Sequence, residues 1–260
     1  MSEQLTALLE EIKNACITAL NDALAGVYIH GSIAFDCFTW EKSDVDFLVV
    51  VNRPISLHEK IALMNLLLDL EEHAPPKGIE MSVVRLDAMQ AFSHPAPYEL
   101  HYSGAYHDSC RRDVRAHCER LHGVDGDLAA HCTVMRAVGF ALCGMPVEEV
   151  FAPVSKTDYI DSIIGDIASA HVDIIANPVY MILNLCRVMA YLTDEQVLSK
   201  RQGGTWGLAN LPELYHSLIQ CALDAYADRS DPSALSAYPL VDFADDMLRR
   251  IRVFTTADNG

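Results

Sequence analysis

Apolar positions along this chain fall into two regimes. In residues 4–24, Leu5, Leu8, Leu9, Ile12, Cys16, Ile17 and Leu20 recur at helical spacing and predict an amphipathic helix. Val27, Tyr28 and Ile29 then run into Gly31-Ser32, and Phe47-Leu48-Val49-Val50-Val51 is continuously apolar, so both read as strands. Asn52-Arg53-Pro54 breaks the chain. Ser56 is placed to cap a helix over 57–72, with Ile61, Leu63, Met64, Leu67 and Leu68 inward. After the loop HAPPKG, the run GIEMSVV at 78–84 reads as a further strand. Strand, helix, strand in this order predicts a βαβ-like unit.

The segment 98–103, YELHYS, alternates and is expected to be extended. Residues 126–143 read as one helix, with Leu128, His131, Val134, Met135, Val138 and Leu142 on a common face. His131 is expected there as a core-facing histidine rather than a ligand. Gly144-Met145-Pro146 ends the helix, and 150–153 reads as a short extended piece. From residue 154 onward strand signals nearly vanish. Helical patterns cover 157–174, 178–192, 211–227 and 239–252, and VLSKRQGG at 197–204 reads as a loop. Pro178 suits the first helical position behind Asn177 as cap, and Pro212 opens its helix similarly. The expected fold class is α+β. An N-terminal domain, 1–153, carries a mixed β-sheet flanked by helices, and a C-terminal domain, 154–260, is an all-helical bundle.

Charge narrows the partners. The chain has 36 acidic and 19 basic residues, a formal net charge of −17. Such a surface repels nucleic acid and suits cationic ligands, although solubility alone also explains it. No apolar run approaches the ~20 residues of a membrane span. The opening MSEQLTALLEEIKNA is acidic and amphipathic, unlike a signal peptide, so the cytoplasm is the expected location. The eight cysteines show no C-x-x-C and read as buried thiols of a reducing compartment. His117-Cys118 and His131-Cys132 have the wrong spacing for a compact structural metal site.

The candidate chemistry lies in residues 27–51. Side chains i and i+2 of a strand share a face, so Asp44 and Asp46 project side by side. Two adjacent carboxylates repel each other and make most sense around a cation; the alternative is a solvated strand end behind the Ser43-Asp44 turn. Hard oxygen ligands suit Mg²⁺ bound with a polyphosphate. Gly31 permits close backbone approach, and Ser32 offers a hydroxyl and an N–H to a phosphate oxygen. Glu80, near the start of its strand, is a third carboxylate that a neighbouring strand would bring alongside. In the helical half, Arg187 sits inside the apolar run MILNLCRVMAYL. It needs an anionic partner, either an internal carboxylate or a ligand phosphate.

Gly31-Ser32, Asp44-x-Asp46 and Glu80 together resemble the pattern of the nucleotidyltransferase superfamily with the DNA polymerase β-like fold. SDVDFLVVVNRPIS, GIEMSVV, PVYMILNLCRVMAYL, VLSKRQGG and LPELYHSLIQCALDAYAD are similar to the aminoglycoside adenylyltransferases that modify streptomycin and spectinomycin. The resemblance makes the first domain a nucleotidyltransferase domain. It implies an ATP- and Mg²⁺-dependent O-adenylyltransferase with ATP as co-substrate and two metal ions. Asp44 and Asp46 would be metal ligands, and Glu80 a general base, a metal ligand or both. Gly31, Ser32 and Ser43 would belong to the nucleotide site, and the family's ATP-contacting Arg, Lys and Tyr carry over onto Arg187, Lys200 and Tyr226. The acceptor would be a cationic, hydroxylated small molecule met by Tyr102, Asp173, Asn177 and Tyr180.

The family's streptomycin determinants, a Trp and an Asp, fall at Ala105 or Tyr106 and at Asn177. The resemblance therefore implies spectinomycin rather than streptomycin. A housekeeping nucleotidyltransferase with another small acceptor, and a non-catalytic binding or antitoxin-like module of the same fold, are the competing readings. The chain is expected to be a monomer or a weak dimer.

Overall fold

The computed structural model describes residues 1–257. The chain divides into two compact units, Met1–Tyr159 and Ile160–Gly260.

The first unit runs α1 (Glu3–Leu20), β1 (Leu24–Ile29), α2 (Gly31–Ala34), β2 (Val45–Val51), α3 (Leu57–Leu70), β3 (Ile79–Arg85), α4 (Leu86–Gln90), β4 (Ala96–Tyr98), β5 (Leu100–Tyr102), α5 (His107–Arg112), α6 (Val114–Arg120), β6 (Gly123–Asp125), α7 (Leu128–Val138), β7 (Phe140–Cys143) and α8 (Val147–Val150). The helix α9 (Lys156–Gly165) spans the division. The main sheet has the order β5-β3-β2-β1-β7, and β4 pairs with β6 in a second, two-stranded sheet.

Strands β2 and β3 are parallel, with Asp46 paired to Glu80; β1 is antiparallel to both β2 and β7. The parallel pair needs a crossover, and α3 supplies it. Its start follows from the sequence. The Ser56 hydroxyl accepts from the Glu59 N–H while the Glu59 carboxylate accepts from the Ser56 N–H, a reciprocal cap.

Alternation assigns the two faces of this sheet. Val27, Ile29, Val45, Phe47, Val49, Ile79, Met81 and Val83 pack with Leu5, Leu8, Leu9 and Ile12 of α1 and Leu63, Met64 and Leu67 of α3. Tyr28, Leu48, Val50 and Val84 face the other way, against Leu128, Cys132 and Met135 of α7 and Phe151. Asp46 and Glu80 share the parity of this second set. The acids therefore stand at the end of the face that α7 covers.

In the second unit follow α10 (Ala170–Ala176), α11 (Pro178–Asp194), α12 (Lys200–Asn210), α13 (His216–Tyr226) and α14 (Leu240–Ala257). In α11, Met181, Ile182, Leu183, Leu185, Cys186, Val188, Met189 and Ala190 are all buried. A helix buried on nearly every side is central, and α10, α12, α13 and α14 all pack against it. No helix among the described residues is long and apolar enough to cross a membrane.

Several elements differ from the sequence expectation. The stripe at 126–143 breaks at Gly139, where a Cβ would lie 2.6 Å from the Met135 carbonyl oxygen, and Phe140–Cys143 joins the sheet as β7. Four apolar residues after a glycine carry no period of their own. Of the segment 197–204 only 197–199 is loop, because Ser199 and Gln202 form a reciprocal cap that starts α12 at Lys200. The glycines behind it face α11: a Cβ on Gly203 would meet the Arg187 Cγ at 2.5 Å, and one on Gly204 the Leu183 side chain at 2.6 Å. The extended stretch around Tyr98 splits at Glu99 between two sheets, 157–174 breaks between α9 and α10, and 147–150 is a helical turn.

Candidate active site

Asp44 ends the loop before β2, Asp46 is the second residue of β2, and Glu80 is the second residue of β3. One carboxylate oxygen from each lies within 4.8 Å of the others, and all three side chains are half-buried. The cause is the parallel register, which sets Asp46 directly beside Glu80, and the strand parity that turns Asp44 the same way. Two unit charges 4 Å apart repel by about 1 kcal/mol even in water. A donor set made only of carboxylate oxygens fits a hard divalent cation such as Mg²⁺.

The Gly-Ser turn is a single helical turn, α2. Gly31 has φ +60°, and a Cβ there would lie 1.8 Å from Asp46 Oδ2. Only glycine lets the Asp46 carboxylate sit against this backbone. The Ser32 Oγ is buried with no hydrogen-bond partner. Ser43 is buried, and its hydroxyl accepts from the Thr39 N–H at 3.1 Å while its own N–H donates to the Thr39 carbonyl at 2.9 Å. Ser43 thus closes the loop that delivers Asp44.

Three histidines border the acids. His131 on α7 has Nε2 4.0 Å from Glu80 Oε1, and its Nδ1 is buried without a partner. It faces the candidate site at the end of the sheet, which corrects its expected place in the core. His30 lies with its ring 4.8 Å from that of His131. Burial, and then the neighbouring His131, push its pKa well below the usual imidazole range, so the ring is neutral. The His101 ring bonds the Ser82 hydroxyl at 2.9 Å, and burial lowers its pKa too. The signal for His30 was present in the sequence: it follows Tyr28 by two and so shares the parity of the face that carries Asp46.

Tyr102 is corrected as an acceptor contact. It is fully buried in β5, and its hydroxyl donates to Glu71, which also meets His107. A side chain with no exposed surface and a satisfied hydroxyl cannot meet a ligand as placed. Ala105 and Tyr106 lie on a 3₁₀ turn, where the Tyr106 ring packs edge-on to His101 and His117.

The remaining candidates lie in the second unit. Arg187 is half-buried on α11, and its Nη1 donates to Asn184 Oδ1 at 3.2 Å. Lys200 is the first residue of α12, with its ammonium 4.7 Å from the centroid of the Tyr180 ring. Tyr226 ends α13 and packs on the helical core. Asp173 accepts a hydrogen bond from the Ser169 hydroxyl. Asn177 is exposed and precedes Pro178, with no side-chain cap bond. The Tyr180 hydroxyl donates to both oxygens of Asp166, at 2.9 and 3.0 Å. Asp166 was not anticipated; nothing in its helical context set it apart from a solvated acid.

The chain is similar to known proteins. Residues 149–250 match the family model of the aminoglycoside adenylyltransferase C-terminal domain. An aminoglycoside (3'') (9) adenylyltransferase of Shigella flexneri is 27% identical over 92% of this chain and 92% of its own length. One from Klebsiella pneumoniae is 27% identical over 90% of each. The crystal structure of a spectinomycin adenyltransferase from Enterococcus faecialis, with ATP and spectinomycin, superposes with a TM-score of 0.80 at 18% identity, covering 95% of this chain and 99% of that one. The two share a fold. Residues 149–250 thus match the C-terminal domain model of the aminoglycoside adenylyltransferases, and the chain is similar to members of that family along nearly all its length.

Proposed function

We propose that this chain is an ATP- and Mg²⁺-dependent O-adenylyltransferase of an aminoglycoside or aminocyclitol, spectinomycin rather than streptomycin. The observation that carries the reading is the convergence of the Asp44, Asp46 and Glu80 carboxylates within 4.8 Å. The ATP-bound structural neighbour and the named relatives support the same chemistry.

Nucleotidyl transfer forms a bond from an acceptor oxygen to the α-phosphorus and breaks the bond from that phosphorus to the bridging oxygen, releasing pyrophosphate. The protein has to position the reactants in line, offset charge and take one proton. Asp44, Asp46 and Glu80 would hold Mg²⁺, which when bound would offset the charge of the triphosphate. Glu80 accepts the proton of the attacking hydroxyl. Gly31 and Ser32 offer backbone and hydroxyl to a phosphate oxygen. Arg187 and Lys200 supply fixed cations to the phosphates, with Tyr226 nearby. Asp173, Asn177 and Tyr180 meet the acceptor.

The preference for spectinomycin rests on charge. A guanidino-bearing drug needs an anion and a stacking ring to offset its desolvation, whereas Asn177 offers a neutral amide and Ala105 no ring. A missing charged hydrogen bond costs about 1.5–3 kcal/mol. A pyrophosphate-release assay across aminoglycosides and aminocyclitols, with ATP, GTP and CTP, tests the reading. ATP-specific release with spectinomycin is expected. Release with no member of the panel would contradict it and favour another small acceptor.

A further inference from the structure

The second unit contains a polar chain with one carboxylate at its hub. Asp166 lies between α9 and α10 and accepts from two neutral donors. These are the Tyr180 hydroxyl, at 2.9 and 3.0 Å to its two oxygens, and the Asn184 amide, at 2.5 Å to Oδ2. Each donor leads on to a cation. Asn184 Oδ1 accepts from Arg187 at 3.2 Å, and the Tyr180 ring lies 4.7 Å from the Lys200 ammonium. Tyr180, Asn184 and Arg187 stand at i, i+4 and i+7 on α11, so they form one stripe of that helix.

We propose that Asp166 is a positioning residue that sets Arg187 and Lys200 as a pair for the phosphates of the nucleotide. The proposal rests on the ATP-dependent reading above. A carboxylate bonded directly to arginine would hold it in an internal ion pair. Here the Asn184 amide stands between Asp166 and Arg187, so direction is passed on without a direct ion pair. Asn184 is only 3% exposed and has a single amide orientation that serves both neighbours: its NH₂ gives to Asp166 and its carbonyl receives from Arg187. The bare backbone at Gly203 packs on the Arg187 stem, where a Cβ would lie 2.5 Å from Cγ. An amide in place of Asp166 removes the negative charge and leaves one acceptor oxygen where the Tyr180 hydroxyl and the Asn184 amide now share two.

The test is calorimetric binding of ATP with Mg²⁺, acceptor omitted, to the full-length chain and its variants. Asp166→Asn is expected to weaken ATP binding about tenfold. Tyr180→Phe, which keeps the ring beneath Lys200 and removes the link to Asp166, is expected to weaken it severalfold. In turnover of Asp166→Asn with acceptor present, KM for ATP should rise in step with the dissociation constant and kcat should change much less, a split that general loss of structure would not give. Variants that melt like the wild type and bind ATP with wild-type affinity would overturn the proposal and leave the adenylyltransferase reading standing. If Asp166→Asn fails to fold, the Tyr180→Phe affinity alone decides. A wild-type chain that binds no ATP would overturn both.

Discussion

At the scale of single residues, the account depends on how three like charges are held together. Asp44→Asn or Asp46→Asn removes a charge that chiefly offsets the metal, on half-buried positions that tolerate an amide. Each is expected to abolish turnover with little change in melting temperature, and full activity at ordinary Mg²⁺ would count against the pair. Gly31→Ala is a sharper test, because the added methyl would stand in the space of the Asp46 carboxylate at a positive φ. Displacing that group by about an ångström is expected to lower kcat by about 10²-fold. The residue-scale features legible in the sequence were the acids and the glycine, since spacing and strand parity carry both. The setting of His131 was not legible, because a helical stripe shows that a residue faces inward but not that it lies beside the end of a sheet.

His117 gives the molecule a pH dependence away from the acids. It is buried, its Nε2–H donates to the His101 carbonyl at 3.0 Å, and burial holds its pKa below the usual imidazole value. A histidine lowered in the folded state binds a proton more readily when unfolded, so the native state loses stability as pH falls below about 6.5. Urea midpoints are expected to fall between pH 7.5 and 5.5, and His117→Gln to flatten that slope. An unchanged slope would remove His117 from the account.

At the scale of elements, helix starts were readable wherever a cap and an apolar stripe agree. Ser56 and Glu59 open α3 as their spacing predicts. The same chemistry at Ser199 and Gln202 opens α12, but Gly203 and Gly204 signal a loop, and propensity outweighed the cap in the reading. Those glycines serve packing: they let α12 approach α11 along Arg187 and Leu183. Ser199→Ala is expected to cost about 1 kcal/mol, and Gly203→Val about 1–3 kcal/mol through overpacking. Only the second should also weaken ATP binding, because it displaces the Arg187 stem. Thermal melts paired with ATP titrations separate the two effects. Strand β7 escaped the reading because a four-residue apolar edge strand behind a glycine has too few positions to show a period of two.

At the scale of the whole molecule, the change from mixed patterning to helical patterning at residue 154 lies close to the division of the structure inside α9. The family resemblance adds what no periodicity supplies, the assignment of cations in the helical unit to a nucleotide. The pairing of Lys200 with Tyr180, and of Arg187 with Asn184, needed coordinates, since contacts between helices leave no local pattern. Acceptor choice also belongs at this scale. Expressed in a sensitive bacterium, the chain is expected to raise resistance to spectinomycin about tenfold to a hundredfold more than resistance to streptomycin, the ratio set by one lost charged contact. Strong streptomycin resistance would place the drug's guanidino groups against another acid, with Asp173 and Asp166 the first to examine.

The most direct measurement is pyrophosphate release from ATP with Mg²⁺ and spectinomycin, comparing the wild type with Glu80→Gln at saturating substrates. Glu80 sits beside Asp46 in the register of the sheet, and its amide analogue keeps the shape while losing the proton acceptor. The account predicts release and an adenylylated product for the wild type, and a kcat lower by about 10²–10⁴-fold for the variant with ATP affinity little changed. A Glu80→Gln enzyme that turns over at the wild-type rate would contradict it.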